Sequence, residues 1–241
     1  MIEEEGFLSR DMDGYIAAIR EDFAEEIRQC RAISCEATTQ LFKSGVDATS
    51  VPEVMAASFW TRCLTACQAT IVLGERGLNI EGLALLRTAY EYLFFCAAIA
   101  NNPACIARIE AQDRTERIKQ AEKLQKSEIV RQALSEEDCA LLDGFVRDTP
   151  KTKKQFSAFD AARLGGMEGL YESAYRTLSL VGTHASYTTG GHAFGSSLAD
   201  MRFGPSKEHL AMLFGLTRDC IGLGIQTMTP LLKCKPQESG E

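Results

Sequence analysis

The sequence predicts an all-α multi-helix bundle with two or three mostly buried central helices. Three observations predict it: apolar residues recur at helical spacing along the long segments, no segment alternates with period two long enough to make a confident strand, and helix-starting and helix-stopping residues separate the apolar runs. There is no internal repeat. The bundle is organised around residues 81–100, EGLALLRTAYEYLFFCAAIA. Leu83, Leu85, Leu86, Ala89, Leu93, Phe94, Phe95 and Ile99 cover almost every direction of a helix, the pattern of a helix surrounded by protein. Two full charges interrupt it, Arg87 and Glu91, four residues apart and so on one face. Charges in such a helix are costly unless paired and hydrogen-bonded. The pair is therefore a structural clasp or the floor of a polar pocket.

The elements follow in order. Residues 11–43 read as one long amphipathic helix, with Tyr15, Ile16, Ile19, Phe23, Ile27, Cys30 and Ile33 on one face and Arg20, Glu21, Glu25, Arg28 and Arg31 outward. Ser44-Gly45 ends it. Ser50 caps a second helix over about 52–74, with Pro52 in its first turn and Glu53 at the capping-box position. Arg62 is its only mid-helix charge. After Gly74-Glu75-Arg76-Gly77 the central helix begins near Asn79, so the two must pack antiparallel. Asn101-Asn102-Pro103 stops it.

Residues 104–132 are strongly charged with sparse apolar positions, which places that helix on the outside or in a dimer contact. Ser135 caps a short helix to about Arg147. The stretch 149–156, with its basic run Lys151-Thr152-Lys153-Lys154, reads as a linker, either a solvated loop or a phosphate-contacting one. Helices follow over 157–164, from Gly169 to about Ser186, and from a Ser206 cap to about Leu232, with a Gly-containing loop before Pro205 and a disordered tail at 233–241. The whole reads as a single helical domain, with core helices over 52–148 and C-terminal helices over 157–232.

The chain has 241 residues, 45% hydrophobic and 24% charged, ordinary for a globular protein with a sizeable core. A net charge of −7 argues against a general nucleic-acid or anionic-membrane surface, although a local basic cleft is compatible with it. Nine cysteines, with no Cys-x-x-Cys spacing, sit largely in apolar helical runs, and the opening Met1-Ile2-Glu3-Glu4-Glu5 lacks a basic leader. No segment reaches roughly 18 uninterrupted apolar residues. A reduced, cytoplasmic protein with no membrane partner is expected.

Phosphate-loop, dinucleotide, zinc-protease and EF-hand signatures are absent, the three histidines match no zinc spacing, and paired Glu-x-x-His motifs do not occur. Cys63 and Cys67 share a helical face without a nearby His and read as core. No metal and no cofactor are expected. What remains is a constellation. Arg62, Arg87 and Arg218 each stand alone as the basic residue at the middle of a core-type helix, with Glu91 and Asp219 as available acids. Tyr175, Arg176, Ser179 and His184 lie on one later helix, Arg176 and His184 near enough to approach one ligand. Arg87, Glu91, Tyr90, Ser179 and His192 are the candidate ligand-binding residues. His184 and Arg176 are the catalytic candidates, an arginine to hold an anion and a histidine to move a proton. Against this stand plainer roles: a clasp for Arg87–Glu91, bonding to helix-end carbonyls for His184, an idle loop position for His192.

LLRTAYEYLFF (85–95) and YRTLSLVGTHAS (175–186) resemble a bacterial all-helical family of unknown function, number 5677, in which an Arg-x-x-x-Glu helix precedes a Ser-x-x-x-x-His segment. The matching positions here are Arg87, Glu91, Ser179 and His184, and the likeness spans about 50–190. A more distant likeness is to the HEPN (higher eukaryotes and prokaryotes nucleotide-binding) superfamily of helical, often dimeric bundles. That likeness implies metal-independent RNA cleavage, with Arg176-Thr177 and His184 as its motif, although seven residues rather than four to six intervene. Two functions follow as expectations. One is a HEPN-like endoribonuclease or nucleotide-handling defence or toxin protein; the other is a non-enzymatic helical dimer binding a small anionic ligand or a partner protein. Either way a homo-oligomer is expected.

Overall fold

The computed structural model describes residues 2–149, 156–183, 190, 191, 194 and 204–234. Its architecture is all-α, as the periodicity predicts. The helices are α1 (Ile2–Glu5), α2 (Met12–Asp22), α3 (Ala24–Lys43), α4 (Val51–Glu75), α5 (Asn79–Asn101), α6 (Ile106–Lys126), α7 (Glu128–Ala133), α8 (Glu136–Asp148) and α9 (Ala158–Leu164). A composite helical stretch then runs from Glu168 to Thr183, and α12 (Leu210–Met228) closes the bundle.

α4 and α5 form an antiparallel hairpin: the Thr70 hydroxyl reaches the Gly82 carbonyl near the turn, and Phe59 meets Phe95 at the far end (ring centroids 5.5 Å apart). α12 lies against both, and α3 covers α12. Trp60, Tyr90, Phe94, Phe214, Leu83, Leu86 and Leu93 are fully buried between these helices. Gly224 makes the α4–α12 contact possible. A Cβ there would stand 1.9 Å from the Trp60 ring, so only hydrogen fits.

α5 is long and apolar enough to cross a membrane by length and composition alone, but 56% of its most apolar window is buried inside the protein. Its apolar circumference is spent on α4, α9, α12 and the composite stretch. The charged α6 packs chiefly on α7 and α8, which leaves Ile129 and Leu141 largely exposed.

Several boundaries differ from expectation. The helix over 11–43 is two helices, broken at Phe23 (φ −116°, ψ 30°), where no Gly or Pro signals a stop. The break accompanies the packing of the Phe23 ring on Phe214, at 6.0 Å between centroids. The segment 104–132 likewise splits, because Ser127 turns aside and caps α7 through the Val130 amide. Ser50 caps α4, but the Glu53 carboxylate reaches the Asp47 amide and does not close the box. Ser206 does not start the last helix. Its amide donates to the Gly77 carbonyl, Asn79 Nδ2 donates to the Glu208 carbonyl, and helix begins only after His209 at φ 61°. The tail is ordered at its start: Lys233–Cys234 (β2) pairs antiparallel with Ser44–Gly45 (β1), a ladder too short for any pattern to announce. The linker residues 150–155 and the tail beyond 234 lie outside the described residues.

Candidate functional site

The composite stretch builds one wall of the site. It consists of α10 (Glu168–Leu170), a π-helical turn Tyr171–Tyr175, α11 (Arg176–Leu178) and a second π turn Ser179–Thr183. π turns insert an extra residue per turn and re-aim the side chains beyond them; they are frequent at functional positions. Gly182 lets this stretch approach α5 closely, since a Cβ there would lie 2.8 Å from the Ala84 backbone nitrogen. The approach carries Tyr175 and Ser179 to Arg87.

All three nitrogens of the Arg87 guanidinium donate. Nη1 donates to Glu91 Oε2 at 2.9 Å, Nη2 donates to the Tyr175 hydroxyl, and Nε donates to Ser179 Oγ at 3.2 Å. Tyr175 passes its own proton to Glu91 Oε2 at 3.1 Å, and Ser179 donates to the Tyr175 carbonyl at 2.9 Å. Each hydroxyl therefore accepts from arginine and donates onward, a consistent ring of donors and acceptors. The guanidinium carbon also lies 4.6 Å from the Tyr175 ring centroid. Tyr171 stacks on Tyr175 at 5.0 Å between centroids. Burial first, then the Glu91 carboxylate, push the Tyr175 phenol up, so it stays a proton donor at neutral pH.

The cluster opens onto a groove of about 280 Å³ lined by Phe59, Arg87, Thr88, Glu91, Tyr92 and Phe95. Its walls are aromatic, and the Arg87–Glu91 pair is its charged edge. The side chains of Arg87 and Glu91 are 22% and 36% exposed, so the acid is the more reachable partner. Among the described residues its Oε1 accepts no hydrogen bond, whereas Oε2 accepts two.

The predicted residues divide. Arg87, Glu91 and Ser179 converge, and Tyr175, named only as a neighbour in the constellation, supplies the hydroxyl that joins them. Tyr90 does not join. It is fully buried, and its hydroxyl donates to the Leu216 carbonyl at 3.0 Å, because one residue's rotation from Glu91 turns it toward α12. Arg176 is exposed and pairs with Glu172 at 2.9 Å on its own helical turn. Arg62 lies over the Tyr92 ring at 5.6 Å, and Arg218 pairs with Asp219 and Gln29, both at the surface. His184 and His192 lie outside the described residues.

Two clusters were not anticipated. Glu75, the last residue of α4, is buried and receives Arg20 Nε at 2.9 Å on one oxygen and Arg31 Nε at 3.0 Å on the other. Cys63, Cys67 and Cys220 bring their sulfurs within 4.8 Å of one another in the core. The i, i+4 spacing of Cys63 and Cys67 was legible; that α12 would supply Cys220 was not.

A family model described as a family of unknown function (DUF5677) matches residues 53–200, more than half of the chain. The chain belongs to this family. No curated protein and no solved structure shows a significant match. All four residues of the Arg87 ring fall inside the DUF5677 segment, whereas Arg20, Arg31 and Cys220 fall outside it.

Proposed function

We infer that this DUF5677 protein is a binding module for a small anionic ligand with an apolar or aromatic body. The carrying observation is the occupancy of Arg87. A half-buried guanidinium and a phenol held protonated are the equipment for a carboxylate or phosphate, and Glu91 occupies that position from within the chain. Glu91 is a weakly committed occupant, because an arginine that precedes its acid in an i, i+4 pair has the poorer orientation. An incoming anion replaces Glu91 on Arg87 and the Tyr175 hydroxyl, while Phe59, Tyr92 and Phe95 take the apolar body.

The endoribonuclease reading has less support. Its arginine, Arg176, is engaged by Glu172 at the surface, and the net charge of −7 disfavours a polyanion.

The test is a thermal-shift and calorimetric screen of the full chain against aryl carboxylates, aryl phosphates and nucleoside monophosphates. A ligand of this class raises the melting temperature by mass action. Arg87→Ala should abolish the shift, and Glu91→Gln should enlarge it by removing the competing anion. If no such ligand stabilises the protein, or if Glu91→Gln weakens every hit, the ring is a clasp and the binding reading fails.

A further inference from the structure

The core holds a second chemically distinctive group, independent of the Arg87 ring. Cys63 and Cys67 lie one turn apart on α4, and Cys220 faces them from α12. All three are fully buried, their sulfurs lie within 4.8 Å of one another, and the Cys63–Cys220 separation is 3.7 Å. A metal about 2.3 Å from each of three sulfurs holds those sulfurs about 4 Å apart. The cluster is therefore already close to ligating geometry. Among the described residues no fourth Cys, His, Asp or Glu joins it.

We propose that Cys63, Cys67 and Cys220 form an internal binding site for a soft, thiophilic univalent cation, univalent copper being the best chemical match. Three sulfur donors without nitrogen or oxygen select for softness. Zinc in a structural site takes four ligands, and this cluster offers three. Each sulfur that binds as thiolate releases its proton to solvent, and copper enters already univalent, so no electron is transferred. A bare thiolate in an apolar core is costly, and the univalent cation supplies the countercharge of one; the other two sulfurs bind as neutral thiols and keep their protons. Entry requires α12 to move off α4, so loading is slower than reaction at the exposed Cys35.

The chain carries its own reporter. Trp60, its single tryptophan, precedes Cys63 by one turn on α4 and packs on Gly224, one turn beyond Cys220 on α12. The experiment titrates reduced full-length protein with univalent copper, oxygen-free, against a competing copper chelator. It follows Trp60 emission and counts sulfur neighbours by X-ray absorption. The background variant Cys35→Ser/Cys139→Ser/Cys234→Ser removes the exposed Cys35, the half-exposed Cys139 and the thiol near the C-terminus. Expected are one copper per chain in that background, a three-sulfur shell and a slow change in Trp60 emission. Cys67→Ala should weaken binding by more than the about 10–100-fold that changes behind the ligands cost. If Cys67→Ala fails to fold by circular dichroism, the sulfur count in the background variant decides. Copper lost with the surface thiols, a shell of fewer than three sulfurs, or zinc held where copper is not, each overturns the assignment. The three cysteines are then small core residues.

Discussion

Two arginine–carboxylate clusters on the α4–α5 hairpin invert each other's burial. At Glu75 the acid is inside, 6% exposed, and its two arginines are 55% and 60% exposed. At Arg87 the base is the more buried partner, and both it and the acid line a groove. The Glu75 cluster joins α2, α3 and α4, and its acid sits at a helix C-terminus, where the helix dipole disfavours it. Arg20 and Arg31 compensate that placement, and no ligand is needed to complete it. The Arg87 cluster joins α5 to a π-distorted stretch and, among the described residues, leaves one Glu91 oxygen without a hydrogen bond. The comparison separates a fastening, whose buried charge is paired on both oxygens from within the chain, from a site, whose buried charge is held by something replaceable.

The sharpest way to break the comparison is to strand the buried acid. Arg20→Ala/Arg31→Ala leaves Glu75 inside without a partner and should destabilise by about 3–5 kcal/mol in urea unfolding. Either single substitution should cost much less, since one arginine still reaches the carboxylate. A double variant no worse than the sum of two surface changes makes Glu75 an ordinary exposed acid.

Next is Arg87→Ala, which removes three charge-assisted hydrogen bonds but leaves Glu91 at a solvent-reached edge. The expected loss is about 1.5–3 kcal/mol, below that of the Arg20/Arg31 double variant. A larger loss makes the Arg87 ring a fastening like that at Glu75.

Tyr175→Phe should cost about 1–2 kcal/mol at neutral pH, because Arg87 Nη2 loses its acceptor. It also carries a pH signature. A phenol whose folded pKa is raised above the ordinary 10 contributes stability present below pH 10 and lost as pH climbs further. Melts between pH 8 and 11 should fall less steeply for Tyr175→Phe than for the native chain. Parallel curves remove Tyr175 from the ring.

The smallest stability effect belongs to Glu91→Gln, about 0.5–1.5 kcal/mol, because the amide oxygen still accepts from Arg87 and Tyr175 and only the charge is lost. Its effect on ligand affinity should be the opposite of Arg87→Ala. This pairing of a small stability loss with raised affinity is what a fastening cannot produce.

Much of this was legible in the chain. α5 and its Arg87–Glu91 pair followed from one apolar run with two charges on one face, and Ser179 followed from its place on the later helix. Tyr90 was misplaced because on a helix apolar all round, sequence alone does not tell which stripe faces the groove and which faces α12. Tyr175 sat beside named residues without a role, because the two π turns that aim it carry no local signal. Arg20 and Arg31 were read as outward helix charges, and Glu75 as part of the turn that closes α4. Their meeting depends on how three helices cross, and the break at Phe23 that orients α2 has no Gly or Pro to announce it.

By itself the sequence determined most of the helices, the Ser50 and Ser135 caps, the antiparallel α4–α5 hairpin and the one charged pair at its centre. These are local properties, set by spacing and by backbone groups that must find partners within a few residues. The tertiary structure alone decided which charges ended inside, which hydroxyls reached Arg87, and that Cys220 would complete a trio with Cys63 and Cys67. Those depend on contacts between helices far apart in the chain, where a glycine such as Gly182 or Gly224 sets the distance of approach and no periodic pattern records the partner.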